Sequence, residues 1–139
     1  MKKVDDLVLG QTLETVSPLN LIVDALRRME MKRIHSLLVF ENGQFLGIVT
    51  MTDVAKSMFA LNARYVSDIM TPAEAVLSVT LSDGVSKCSD LMRSKQIHHL
   101  VVKDAGGTVV GVISSIDLML AENDAREEAA ETAKNLPPG

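Results

Sequence analysis

Two short stretches carry the residues whose types and spacing suit ligand chemistry: Gly47 to Asp53 (GIVTMTD) and Gly111 to Asp117 (GVISSID). In each, a run of small and aliphatic residues reads as a strand that gives way to a helix within its last four positions. Amides at a helix start lack intrahelical acceptors and carry the positive end of the dipole, so they attract phosphate. Thr50 and Thr52 add hydroxyl donors beside those amides. Asp53, held nearby, is suited to accept hydrogen bonds from two adjacent hydroxyls, as acidic residues do for a ribose diol in dinucleotide sites. The competing reading is plain N-capping, with threonine as the cap and aspartate offsetting the dipole. The second copy keeps Ser114 and Asp117 but has Ile116 in place of the Thr52 hydroxyl. The pattern favours a ligand site at the first copy and leaves both readings open at the second.

His35 and His98 occupy matching places before the strand pair that leads into each motif. An imidazole can donate to a phosphate oxygen, and Arg33, Lys95 and His99 lie close in sequence to add positive charge. The alternative is a histidine that merely ends a strand or lies exposed. Metal binding is not expected, because His98 and His99 alternate across a strand and no cysteine cluster or HExxH spacing accompanies them. Ser114, His98 and Asp117 can be drawn as a triad. Serine and aspartate three apart at a helix start both point toward the cap, however, and no nucleophile elbow is present. No GxxxxGK[ST] loop is present either. An enzyme is not expected. Cys88 is the one cysteine, so no intrachain disulfide forms, and its place on an apolar helix face suits a buried structural thiol.

The elements that must position these residues are written twice. VDDL from Val4 matches VSDI from Val66 at an offset of 62, and RIHSLLV from Arg33 matches QIHHLVV from Gln96 at 63. GIVTMTDV from Gly47 matches GVISSIDL from Gly111 at 64. The extra residue falls where ENGQ becomes DAGGT, a turn, where insertions are tolerated. Each half predicts a short strand, a helix, a hairpin and a closing helix. Thr15-Val16 and Ser78-Val79 are the short strands. The helices span about Leu19 to Lys32, with Ser17 as cap and Pro18 at the first position, and Asp83 to Lys95, with Ser82 or Thr80 as cap. They set Ile22, Leu26 and Met29, then Val85, Cys88 and Met92, on one face. Asn42-Gly43 marks the first hairpin, since both turn residues need positive φ. Closing helices start near Thr52 and near Ile116. A connector, Asn62 to Pro72, ends in a break at Met70-Thr71-Pro72.

The 139 residues are 47% hydrophobic and 23% charged, which excludes disorder for the chain as a whole. The whole carries 14 basic and 18 acidic side chains, of which 2 and 5 fall after residue 120, so the body is near neutral. With aromatics at 3%, neither a polyanion-binding face nor a base-stacking platform is expected, so nucleic acid is not the partner. The opening MKKVDDLVLG lacks the apolar run of a signal peptide, and no stretch is long enough for a membrane span, so a cytoplasmic protein is expected. The organisation predicted is a first repeat over 1–61, a second over 62–120 with its lead-in at 62–76, and a polar, solvated tail over 121–139.

RIHSLLV…GIVTMTDV and QIHHLVV…GVISSIDL, with VSDIM-TP leading into the second copy, resemble the CBS-domain family, whose domains occur as tandem pairs. The resemblance covers about residues 1 to 120. It implies an α/β fold of two β-α-β-β-α repeats packed with pseudo-twofold symmetry and two clefts. It implies that Asp53, Thr50 and Thr52 form the first site, with Asp117 and Ser114 in the second. Ile48 or Val112 would flank adenine, as would Thr15-Val16 or Ser78-Val79, partly through backbone. His98 matches a phosphate-contacting histidine of the kinase gamma-subunit relatives, and His35 is its counterpart. Ser36 and His99 stand where relatives often carry arginine, which favours a monophosphate over a triphosphate. The function implied is a sensor of an adenosine-containing ligand (AMP, ADP, ATP or S-adenosylmethionine), acting through a homodimer on an unidentified protein partner and needing no cofactor. The alternative is a ligand-free interaction scaffold.

Overall fold

The structure is a computed structural model that describes residues 2–134. In chain order the elements are α1 (Val4–Val8), β1 (Thr15–Val16), α2 (Ile22–Lys32), β2 (Ser36–Glu41), β3 (Gln44–Thr50) and α3 (Met51–Ser57). There follow α4 (Val66–Ile69), β4 (Thr71–Pro72), a 3-10 turn (Ala73–Ala75), β5 (Ser78–Thr80), α5 (Val85–Lys95), β6 (His99–Lys103), β7 (Val109–Ser114) and α6 (Ser115–Lys134). They form two units. A contiguous unit, Thr12–Leu77, carries a sheet in the order β1-β2-β3-β4. A split unit joins the described residues up to Gln11 to those from Ser78 onward and carries the sheet β5-β6-β7. In both, the short strand runs parallel to the first hairpin strand and the hairpin is antiparallel. The chain is thus α/β with two repeats, as its sequence predicts.

Unit and repeat are offset by the lead-in segments. Val4 and Asp5 donate their amides to the carbonyls of Asp83 (2.9 Å) and Leu81 (3.0 Å), so α1 docks on the split unit. Val66 and Ser67 do the same to Asn20 (2.9 Å) and Pro18 (3.0 Å) in the contiguous unit. Val4 and Val66 are fully buried at the two docking points. VDDL and VSDI are one device used twice. The predicted connector therefore contains a helix, and Thr71–Pro72 is no mere break: it forms β4, paired with β3 through Gly47↔Pro72 and Ile48↔Thr71.

The helices α2 and α5 start later than predicted. Ser17 and Pro18 do not cap α2; they open a four-residue turn closed by the Asn20 amide on the Ser17 carbonyl at 3.1 Å. Proline suits the second position of a β-turn as well as the first turn of a helix, and here the turn prevails. Thr80 and Ser82 likewise sit in a turn, and Gly84 is the N-cap of α5. The Ser17 amide is held by Asn20 Oδ1 at 2.9 Å, and the Thr80 amide by Asp83 Oδ2 at 2.8 Å. The bond from Thr80 holds the Asp83 carboxyl below its ordinary value of 3.8, with Lys87 at 3.2 Å adding to it against the cost of burial.

A carboxyl depressed in the folded state stabilises it above the unfolded pKa, and that contribution is lost as pH falls through the folded value. Asp83→Asn keeps the acceptor that Asn20 already supplies in the other unit. Without the charge it is expected to unfold at a lower urea midpoint than the parent at pH 7, with a shallower acid loss, so that the two converge below about pH 4. An acid loss as steep as the parent's would contradict this.

The hairpins form where expected. Asn42 (φ 51°) and Gly43 (φ 77°) both adopt positive φ between β2 and β3. In the longer second turn, Asp104 Oδ1 accepts the Gly106 and Thr108 amides, each at 2.9 Å. One face of each sheet meets the helices. Val16, Leu37, Val39 and Val49 pack with Ala25, Met29 and Val66, while Val79, Leu100, Val102 and Ile113 pack with Cys88, Met92, Val4 and Leu118. Burial pushes the Cys88 thiol above its ordinary value, which keeps it protonated and unreactive.

The second closing helix continues into the predicted tail. α6 runs unbroken from Ser115 to Lys134, because no glycine or proline interrupts a stretch rich in strong helix formers. Ala121, where the solvated tail was expected to begin, is buried, and Ser89 donates to Glu122 at 3.3 Å. Beyond that point Asn123, Asp124 and residues 126–133 are exposed; the last tail residues, 135–139, lie outside the described ones.

Candidate functional site

Each hairpin delivers its motif to a strand–helix junction. Ser36 pairs with Thr50 at the end of the β2–β3 ladder, and His99 with Ser114 at the end of β6–β7. The next residue outward closes the junction: the Met51 amide donates to the His35 carbonyl at 3.0 Å, and the Ser115 amide to the His98 carbonyl at 2.9 Å. His35 and His98 are thus brought beside the two motifs by their backbones, and both side chains are exposed.

At the first junction Thr50 is the N-cap of α3. Asp53 Oδ2 accepts the Thr50 amide (2.9 Å) and the Thr50 hydroxyl (3.0 Å), and the Asp53 amide donates to Thr50 Oγ1 (3.2 Å). At the second, Asp117 Oδ2 accepts the Ser114 amide (2.8 Å) and the Asp117 amide donates to Ser114 Oγ (3.1 Å). Both aspartates are half-buried. An aspartate three residues past the N-cap is a recurrent device in this chain. Asp6, Asp24 and Asp68 accept the amides of Lys3, Leu21 and Tyr65 in the same way. Of these five aspartates, Asp53 and Asp117 are the two whose own amide is answered by the side-chain hydroxyl of the N-cap residue. In each, Oδ2 carries these bonds, and Oδ1 takes none among the described residues.

The helix start offers less to phosphate than the motif promised. The first and third amides of α3, those of Met51 and Asp53, are taken by the His35 carbonyl and the Thr50 hydroxyl, and α6 repeats the arrangement. Thr52 is exposed at the first junction, and Ile116 stands exposed at the second.

The other site candidates divide by sheet face. Thr15, Leu38, Ile48 and Thr71 form one row across the contiguous sheet. Alternation places that row, with Thr50 two residues beyond Ile48, on the face away from α2. Ser78, Val101 and Val112 form the matching row in the split unit, with His99 and Ser114 on the same face. Ile48 is buried although it lies outside the helix-side core. Val16 and Val79 point the other way, into the helix-side cores, so only their backbones remain for a ligand.

Sequence reasoning missed Gln11. Its carboxamide Oε1 accepts the Val112 amide at 2.9 Å and its Nε2 donates to the Val112 carbonyl at 3.1 Å, 101 residues away in sequence. No local pattern signals such a bond. Among the described residues, no group of three or more His, Cys, Asp and Glu side chains gathers as metal ligands would, and no helix is long and apolar enough to cross a membrane.

A family model described as CBS domain matches residues 4–60 and 66–124. A probable arabinose 5-phosphate isomerase of Haemophilus influenzae is 32% identical over 105 residues, covering 73% of this chain and 31% of the relative. The chain spans less than a third of the length of the curated relatives it matches. A putative signal-transduction protein with CBS domains from Burkholderia ambifaria superposes with a TM-score of 0.78 at 30% identity, covering 86% of this chain and 93% of that one. A CBS domain pair in complex with 5'-methylthioadenosine and S-adenosyl-L-methionine superposes with a TM-score of 0.79 at 25% identity, covering 90% and 98%.

Proposed function

The chain belongs to the CBS-domain family, and from that premise we propose that it is a regulatory module that binds an adenosine-containing ligand and is not itself a catalyst. The observation that carries this is the twofold occurrence of one constellation: a half-buried aspartate locked by a hydroxyl residue at a strand–helix junction, beside a histidine and on the sheet face opposite the helix-packed core. A capping box needs only the aspartate and the hydroxyl. It does not need the row of Thr15 and Ile48, or of Ser78 and Val112, that shares their face.

In this reading Oδ1 of Asp53 and of Asp117 takes the ribose diol, Thr50 holds the Asp53 carboxylate in place for it, and the Thr52 and Ser114 hydroxyls with the His35, His98 and His99 side chains meet the phosphate or its equivalent. Ile48 and Val112 flank the base together with the backbones of Val16 and Val79. The repeats, 1–61 and 62–120, each supply one such set. The module pairs with a second copy and passes its state to a protein partner. A ligand shifts that state only by its differential affinity for the two arrangements.

The test is thermal unfolding of the chain against AMP, ADP, ATP and S-adenosylmethionine, each at millimolar concentration. A ligand at 100 times its Kd adds about 2.7 kcal/mol to the folded state. That is a shift of several degrees, roughly 2 to 8 °C per kcal/mol for domains around this size. A shift with one ligand identifies the signal. No shift with any of them favours the rival reading, a ligand-free scaffold in which Asp53 and Asp117 are helix caps and nothing more.

A further inference from the structure

The two units complete the edge of their second hairpin strand in different ways. In the contiguous unit the edge of β3 at Ile48 is covered by backbone: β4 pairs there through Thr71. In the split unit the edge of β7 at Val112 meets no strand among the described residues; the sheet ends with β7. The Val112 amide and carbonyl are instead satisfied by one side chain, the carboxamide of Gln11. A primary amide with its oxygen on an N–H and its nitrogen on a C=O reproduces the pairing a neighbouring strand would make.

Gly111 is what lets it in. A β-carbon on Gly111 would stand 2.9 Å from both Gln11 Oε1 and Val8 Cγ1, so the absent side chain is space that the carboxamide shares with Val8. The counterpart glycine of the contiguous unit, Gly47, makes the same allowance for the Thr71 backbone carbonyl. The two covers differ in how they let go. Removing β4 means unpairing backbone, whereas a glutamine that is exposed to solvent leaves by rotating its side chain.

The chemistry of what replaces it is set by Val112. The site needs an acceptor beside a donor. Adenine presents that pair, a ring nitrogen next to the exocyclic N6–H, which is why glutamine and adenine complement one another elsewhere. Two residues along the same edge, roughly 7 Å away at the rise of an extended strand, the Ser114 amide is held by Asp117. That spacing is what a nucleoside spans from base edge to ribose.

We infer that Gln11 is the specificity-determining residue of the split unit's site: its carboxamide holds the Val112 backbone pair in place of an adenine edge and yields it on binding. This rests on the adenosine reading above. It also makes the two sites unequal, because Ile48 offers no such releasable pair.

The experiment is a calorimetric titration of the full chain with AMP and, separately, inosine monophosphate, whose O6 acceptor and N1–H donor stand in the reverse order. Asp53→Asn serves as the background that isolates the split unit. Gln11→Ala in that background is expected to bind AMP about tenfold tighter, two unstrained hydrogen bonds no longer having to be broken, with inosine monophosphate unchanged. Gln11→Asn, whose amide is one methylene too short, should match the alanine, which keeps the result readable if either variant folds poorly. AMP binding that is abolished by Asp117→Asn yet unmoved by both Gln11 variants overturns the inference alone. An equal gain for both nucleotides also overturns it. No AMP binding in any of these proteins overturns the adenosine reading and this inference with it.

Discussion

Asp53→Asn is expected to weaken binding of the module's adenosine ligand at the contiguous unit about 100-fold while leaving the fold in place. The carboxylate holds the Thr50 amide and hydroxyl through Oδ2 alone. Asparagine can still accept the Thr50 amide, so the cap of α3 survives at a cost of roughly 1 kcal/mol or less. Binding two ribose hydroxyls requires a second charged oxygen. Losing charge-assisted bonds worth roughly 1.5–3 kcal/mol each removes about two orders of magnitude in affinity. Calorimetry with the ligand identified by the unfolding panel reads the loss, and urea unfolding reads the stability. A variant that binds as the parent does assigns Asp53 to capping. Asp117→Asn should do the same at the split unit and leave the contiguous one untouched.

Gly47→Ala is expected to produce the larger change in stability, about 3 kcal/mol. A β-carbon there would collide with the Thr71 carbonyl and come within 3.2 Å of Pro72 Cα, both backbone atoms of a paired strand. Relief requires β4 to leave β3. Gly111→Ala meets only side-chain atoms, Gln11 Oε1 at 2.9 Å and two carbons of Val8 at 2.9 and 3.1 Å, and is expected to cost about 1 kcal/mol. Urea unfolding of the two variants gives the comparison, and equal losses would mean that β4 is not held as described.

Those glycines show how far the sequence could be read. Their recurrence 64 residues apart marks them as required, and the motifs around them place both junctions correctly. Asn42-Gly43 reveals its hairpin because positive φ at two successive residues is a local demand that few residues meet. Pro18 misled because its fixed φ serves a β-turn and a helix start equally well, and the choice is made by Asn20 and by the docking of α4. The unbroken length of α6 follows from a stretch without glycine or proline, whereas the burial of Ala121 depends on tertiary packing that composition does not encode. At the site, the reciprocal bonds of Thr50 with Asp53 follow from spacing. The use of the Met51 amide by the His35 carbonyl does not, since it depends on where a strand in another part of the motif ends. Gln11 lies furthest from anything local, because its partner is a backbone group of a strand formed at the far end of the chain.

The exchange of lead-in segments has a kinetic consequence. The contiguous unit is a single run of sequence and can close as soon as Leu77 has been synthesised, with every pairing made between neighbours already present. The split unit must wait for its own hairpin and then recapture α1 across the whole of the intervening unit. Loop closure grows only as the logarithm of the span, so the penalty for this wait is on the order of 1 kcal/mol relative to a loop one-quarter as long. Until then Val4 and Val8, which end fully or almost fully buried, wait for partners that lie from Ser78 onward. Synthesis therefore imposes an order, contiguous unit first and split unit second, on two units that carry the same pattern.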